Sequence, residues 1–151
     1  MKKIILGLIA LISITTVSPQ ADFNNQNDLI EAAKEGNTEK VKLLIDAGAD
    51  LNVQDFADRT VLIIAAQNGH TEIVKLLIDA GADLNIKENS FLSYTALMRA
   101  AENGHTETVK LLINAKANLD GFSVAALRQA ACQKGSHAEI AKLLIDAGAD
   151  Q

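Results

Sequence analysis

The chain has 151 residues, of which 48% are apolar and only 3% aromatic, and its formal net charge is −5. This length suits one domain, and its core must consist mainly of Leu, Ile, Val and Ala side chains. Nucleic-acid binding depends on Lys and Arg neutralising phosphates, and this acidic chain has no basic stripe, so we expect no nucleic-acid partner.

The first 21 residues differ in composition from the remainder. Two lysines precede an apolar run over 4–14, and the small and polar stretch TTVSPQA follows. This order is typical of a secretory signal peptide, and the run is shorter than the ~20 apolar residues of a transmembrane helix. We therefore expect export, to the periplasm or the cell exterior, with 22–27 as a linker. Because the cleavage signal around Pro19 is poor, an uncleaved membrane anchor is the alternative.

From residue 28 onward the sequence repeats. The string KLLIDAGAD occurs at 42–50, 75–83 and 142–150, with the variant KLLINAKAN at 110–118. Gly36, Gly69, Gly104 and Gly135 recur at intervals of 33, 35 and 31 residues. A period near 33 indicates stacked supersecondary units. The four predicted units are 28–59, 60–94, 95–123 and 124–151.

Each unit is predicted to contain two short helices. An alanine pair precedes the glycine and a Glu-x-x-Lys-Leu-Leu-Ile segment follows it. The glycine can adopt the left-handed conformation that ends the first helix. On a helical projection the second helix is apolar over roughly 200° of its circumference, more than one partner helix can cover. The string therefore recurs because each copy packs against neighbours on both sides.

These motifs resemble the ankyrin repeat over about 28–151. The unit from Thr60 reads TVLIIAAQNGHTEIVKLLIDAGADLN and that from Thr95 reads TALMRAAENGHTETVKLLINAKANLD. Both are similar to the family pattern of Thr-Pro-Leu-His-x-Ala, Ala-x-x-Gly-His, Val-x-Leu-Leu and Gly-Ala-Asp, although its proline and first histidine are absent. The resemblance implies an all-α solenoid of about four helix-turn-helix units joined by β-hairpin-like fingers.

Two departures from the repeat concern its turns and ends. Lys116 stands where the other units have glycine, at 48, 81 and 148. A left-handed Lys116 would cost about 1–2 kcal/mol. Alternatively this turn is built differently, an option favoured by the short connector that follows, which predicts a truncated finger. The first unit begins at Asp28, as expected of a solvent-facing cap, and Arg128 and Gln129 suggest partial capping of the last unit.

Nothing in the sequence indicates catalysis. No nucleophile or phosphate-binding motif is present, and the lone Cys132 is interpreted as a small buried residue. His70, His105 and His137 occupy adjacent units, whose equivalent positions lie ~8–10 Å apart, too far to share one zinc ion. The resemblance implies that the Gly-His imidazoles form loop hydrogen bonds. We therefore expect no enzyme, no metal and no cofactor.

The connectors hold the candidate binding residues. Phe56, Phe91, Tyr94 and Phe122 all lie between the predicted helices, and the connector over 85–94 is two residues longer than the one before it. They either pack finger against finger or anchor an interface. The resemblance adds first-helix positions that differ between units. The predicted partner-binding residues are Phe56, Ile64, Gln67, Asn68, Phe91, Tyr94, Arg99, Glu102 and Asn103.

The function predicted from these features is binding of another protein by a monomer, as an inhibitor, adaptor or protector. The alternative is a structural subunit that self-associates through its poorly capped last unit. Membrane contact is expected only if the N-terminal segment stays uncleaved.

Overall fold

A computed structural model describes residues 19–122 and 135–149. Outside these ranges lie residues 1–18 of the predicted signal peptide, the first helix predicted for the fourth unit, Cys132, and the two residues predicted to cap the last unit, Arg128 and Gln129. The helices are α1 (Pro19–Glu35), α2 (Thr38–Asp46), α3 (Val61–Asn68), α4 (Thr71–Asp79), α5 (Ala96–Glu102), α6 (Thr106–Asn114) and α7 (Ser136–Asp146).

The helices form two packed rows, which confirms the all-α solenoid. Helices α1, α3 and α5 are the first helices of three units and pack against one another in that order. Helices α2, α4, α6 and α7 are the second helices and form the parallel row. The core lies between the rows, and in α3 every residue from Val61 to Ala66 is buried. A neighbouring unit on each side explains why this central helix is apolar all round.

The first helices α3 and α5 each begin directly after a threonine whose side chain caps them. Thr60 accepts a hydrogen bond from the Ile63 backbone N–H at 3.2 Å and Thr95 accepts one from the Met98 N–H at 3.4 Å. These contacts satisfy donors that have no partner within the helix. Helix α1 spans Pro19–Glu35, so it includes both the segment 22–27 that we predicted as a linker and Asp28, where we predicted that the first unit begins.

Each unit is held to the next by a histidine. The Nε2 atoms of His105 and His137 lie 2.9 Å from the Gln67 carbonyl oxygen and 3.1 Å from the Glu102 carbonyl oxygen, and His70 is 3.4 Å from the Lys34 oxygen. All three carbonyls belong to the first helix of the preceding unit. This confirms the structural interpretation of the histidines.

At Gly36 and Gly69 the glycine before the second helix makes room for the imidazole of the next unit. Gly69 has φ +73°, and a Cβ atom there would lie 2.6 Å from Nδ1 of His105. Gly36 has the same relation to His70, with a distance of 2.7 Å to Cε1. The glycine is thus required both by its left-handed backbone and by the close approach of the next unit.

Asparagine side chains link the turns of successive units. Oδ1 of Asn52 accepts a hydrogen bond from the Asp83 backbone N–H at 2.9 Å, and Oδ1 of Asn85 accepts one from the Asn118 N–H at 2.8 Å. Both bonds join residues more than 30 positions apart. They give the asparagine of the Asp-Leu-Asn segments at 50–52 and 83–85 a stacking role.

Lys116 is left-handed, so the differently built turn that we favoured is wrong. Its φ is +67°. Its N–H donates to the Ile113 oxygen and the Ala117 N–H donates to the Leu112 oxygen, both at 3.0 Å. Gly48 and Ala49 make the same pair of bonds to Ile45 and Leu44. The hydrogen bonds of the helix end therefore impose the conformation in spite of the lysine side chain.

The broad apolar surface of the second helix is covered only where a preceding unit exists. Leu43 in α2 is 69% exposed. Its equivalents Leu76, Leu111 and Leu143 are partly buried. Unit one has no described unit before it, so its leucine keeps the exposure that the other units lose.

Replacing Lys116 with glycine should stabilise the protein. Removing left-handed strain gains about 1–2 kcal/mol, and the greater freedom of glycine in the unfolded chain offsets part of this. We expect a net gain of roughly 1 kcal/mol and a rise of about 2–4 °C in the thermal midpoint. Gly81→Lys is the reverse control, because Gly81 has φ +88° and open space around its Cα. An unchanged midpoint for Lys116→Gly would contradict the strain.

Substitution of Gly69 should cost more than substitution of Gly81. Both residues have positive φ, but only at Gly69 does an added Cβ meet an imidazole. Gly81→Ala should lose about 1–2 kcal/mol, and Gly69→Ala should exceed it by at least ~1 kcal/mol. Urea denaturation measures both variants. Equal losses would show that the His105 contact does not constrain the glycine.

Candidate functional site

In the part of the chain that the structure describes, two short hairpins project between the helix pairs, which confirms the fingers predicted there. In finger 1 (residues 53–60) the Asp55 N–H donates to the Arg59 oxygen at 3.0 Å. In finger 2 (residues 86–95) the Glu88 N–H donates to the Tyr94 oxygen at 3.0 Å. Asp58 and Ser93, which directly precede the accepting residues of these two bonds, both have a left-handed backbone conformation. The closing pairs are four and six positions apart, so the two additional residues of finger 2 lie at its tip.

The fingertips present apolar side chains to solvent. Phe56 at the tip of finger 1 and Phe91 at the tip of finger 2 are fully exposed, and Leu92 is 56% exposed. The two phenylalanine rings therefore do not pack finger against finger. Full burial of such a side chain contributes about 1.5–3 kcal/mol, so each ring can contribute substantially to an interface.

An ion pair holds the base of finger 1. Nη2 of Arg59 lies 2.7 Å from Oδ2 of Asp55, and Nη1 donates to Oε1 of Gln67 in α3 at 3.3 Å. Burial alone would raise the pKa of Asp55, but hydrogen bonds from the Arg59 side chain and from the backbone outweigh it and lower the pKa below its usual value. The carboxylate thus stays ionised and fixes the finger against α3.

A larger network holds the base of finger 2. The Arg99 guanidinium donates to the buried carboxylate of Glu88, and its Nη1 donates to Oε2 of Glu102 at 2.8 Å. Its Cζ lies 4.0 Å from the centre of the Tyr94 ring, a cation–π contact. Hydrogen bonding to Glu88, opposed by burial, raises the pKa of Arg99. Burial and the neighbouring Glu102 raise the pKa of Tyr94.

The predicted site residues separate into three groups. Phe56 and Phe91 are exposed, as are Asn68 and Asn103 at the end of the first helices. The second group lies at the finger bases, where its side chains form the hydrogen bonds that hold the fingers in place: Gln67, Tyr94, Arg99 and Glu102. Ile64 is 2% exposed and packs in the core, so it presents almost no surface to a partner.

Sequence reasoning missed two residues of this surface. Glu88 is the buried anion of finger 2, and Leu92 is the second apolar residue of its tip. The signal for Glu88 was the acidic residue at the equivalent position of finger 1, Asp55, which also opens its hairpin. The signal for Leu92 was its place beside Phe91 in the lengthened connector. Neither signal shows which arginine pairs with Glu88, because Arg99 lies eleven positions away.

A groove of 370 Å³ lies beside finger 2. Its walls come from finger 2, from α5 and from the connector after α6, and they are mainly apolar. The lining residues are Leu92, Tyr94, Met98, Ala101, Glu102, Gly121 and Phe122. Phe122 is partly buried against the core, so it forms a wall of the groove and does not project from it.

The described ranges contain neither a metal-binding cluster nor a membrane-spanning helix. Within 19–122 and 135–149 no cluster of three or more His, Cys, Asp or Glu side chains is arranged to hold a metal ion. In the same ranges no helix combines the length and apolar character needed to cross a membrane.

Comparison with known proteins agrees with the architecture. The family described as "Ankyrin repeats (3 copies)" matches residues 7–88 and 87–151, which together cover nearly the whole chain. No curated protein sequence matches the chain significantly. Ankyrin repeats generally mediate binding to other proteins and are typically not enzymes. With its two helix rows, glycine turns and hairpin fingers, the chain belongs to the ankyrin-repeat family.

Proposed function

We propose that this protein binds a partner protein through the tips of fingers 1 and 2 and acts as an inhibitor, adaptor or protector of that partner. The observation that carries the proposal is the full exposure of Phe56 and Phe91 at equivalent places on adjacent fingers. Exposed aromatic rings have no role in the fold, whereas large aromatic side chains are frequent anchors at protein interfaces.

The anchored finger bases also support this proposal. Arg59 of finger 1 donates to Gln67 of α3, and Arg99 of α5 donates to Glu88 of finger 2, so each tip is held in place before binding. A preorganised loop loses less conformational freedom on association, so more of the burial energy of the rings appears as affinity.

The alternative is self-association through the last unit. Within 135–149 no large apolar side chain is exposed. Self-association therefore remains a prediction from the sequence, and sedimentation at rising concentration measures it.

The fingertip proposal can be tested by crosslinking and substitution. A photoreactive residue at position 56 or 91 should crosslink one cellular protein, which mass spectrometry then identifies. With that protein purified, Phe56→Ala and Phe91→Ala together should weaken binding at least about tenfold, as expected for loss of roughly 1.4 kcal/mol or more. Leu43→Ala is the matched control, because Leu43 is exposed and apolar but lies on α2. Equal affinity of the double variant and the control would place the binding site elsewhere.

We further propose that residues 1–21 direct export. The support is their order of lysines, apolar run and small residues. Cleavage after Ala21 would also remove the first three residues of α1, which begins at Pro19. The expected result is an exported chain whose N-terminus is Asp22, measured by intact mass in cell fractions. A full-length chain in the membrane fraction would support the uncleaved anchor, and a full-length chain in the cytoplasm would contradict export.

A further inference from the structure

We propose that the groove beside finger 2 binds an extended partner segment in which a large apolar residue is followed or preceded by Lys or Arg. This inference rests on the proposed function, because the groove adjoins the fingertip surface. It adds a second contact with its own chemistry, distinct from insertion of Phe56 and Phe91 into the partner.

The apolar half of the inference comes from the walls. Leu92, Met98 and Phe122 face the groove from three different segments, and Leu92 remains 56% exposed at its edge. A volume of 370 Å³ is in the range of sites that accept a small ligand, roughly 300–1,000 Å³, and is large enough for one or two side chains. Apolar surface from a partner would replace water on these walls, which is favourable.

The charged half comes from the network at the base of finger 2. Two carboxylates, Glu88 and Glu102, share the single guanidinium of Arg99. Glu88 is 3% exposed and Glu102 is 47% exposed. Taken together the three groups carry one excess negative charge, and it can reach solvent only at Glu102, which lines the groove.

This arrangement selects the charge of the partner segment. Of the seven described lining residues, Glu102 is charged and none is a cation. An acidic segment would meet the carboxylate of Glu102 in a chain whose net charge is already −5. A Lys or Arg adjacent to the buried apolar residue would instead complete a second ion pair at the rim, where such a pair adds specificity more than affinity.

The first experiment selects ligands with the intact protein. A display library of random twelve-residue peptides is panned against the wild-type chain and counter-selected with a Leu92→Ser variant. The enriched sequences should combine a large apolar residue with an adjacent Lys or Arg. Enrichment of acidic or purely apolar sequences, or failure to enrich any, would overturn the proposal.

The second experiment locates the bound peptide. Met98 is the only methionine besides Met1, so methyl-labelled methionine gives one signal inside the groove. Synthetic copies of the enriched peptides should shift the Met98 methyl resonance. A peptide that binds without moving this signal would place its site elsewhere and contradict the groove.

Two substitutions separate the apolar from the charged contribution. Leu92→Ser should weaken every enriched peptide by about fivefold or more. Glu102→Gln keeps an oxygen that can accept from Arg99 and removes only the charge, so it should weaken peptides with Lys or Arg by about two- to fivefold and leave their neutral analogues unchanged. Equal effects on charged and neutral peptides would contradict the ion pair. Thermal midpoints of both variants confirm that the fold is retained.

Failure of this inference can be told from failure of the proposed function. If the crosslinked partner loses affinity for the Phe56/Phe91 double variant but binds Leu92→Ser and Glu102→Gln as tightly as wild type, the fingertip function stands and the groove is not a contact. If fingertip substitutions have no effect, the proposed function fails, whatever peptides bind to the groove.

Discussion

The close contact between the glycine of one unit and the histidine of the next is the constraint on which the remaining structure depends. The imidazole occupies the space that a Cβ at Gly36 or Gly69 would fill, and its Nε2 reaches a first-helix carbonyl that has no partner within the helix. The glycine therefore ends the first helix, and the imidazole pairs with its unsatisfied carbonyl group. Their close approach sets the separation of neighbouring units. Because it repeats along the chain, the two helix rows and the fingers acquire a common register.

This register leaves the fingertips free to vary. The burial of α3 and the asparagine bonds between turns stabilise the array without using any residue of the tips. Finger 2 is two residues longer than finger 1, and the same kind of backbone hydrogen bond closes both fingers. The scaffold supplies stability, and the tips supply surfaces that differ from unit to unit, as expected of repeat proteins.

The arginine networks connect these two parts. Arg59 and Arg99 occupy different positions in their units, yet each joins a finger carboxylate to the following first helix. In finger 1 one carboxylate meets one guanidinium, whereas in finger 2 two carboxylates share it. Both networks hold a finger in place, but only the network of finger 2 leaves an excess negative charge. This charge is the basis of the proposed preference of the groove for Lys or Arg. At Lys116 the side chain differs from the glycine of the other units, yet the backbone conformation is the same.

The sequence predicted the family, the helix pairs, the glycine turns and the fingers. These features follow from a period near 33 residues and from local patterns of apolar and turn-forming residues. The sequence also placed aromatic residues in the fingers. It could not separate Phe56, which is exposed, from Phe122, which packs against the core, or show that Ile64 is enclosed. Nor could it decide the conformation of Lys116 or pair Arg99 with Glu88. The exposure of a side chain depends on how neighbouring units approach one another. The Arg99–Glu88 pair depends on how finger 2 folds back onto α5, and the Lys116 conformation depends on the hydrogen bonds that end its helix. Residue spacing along the chain specifies none of these three relations.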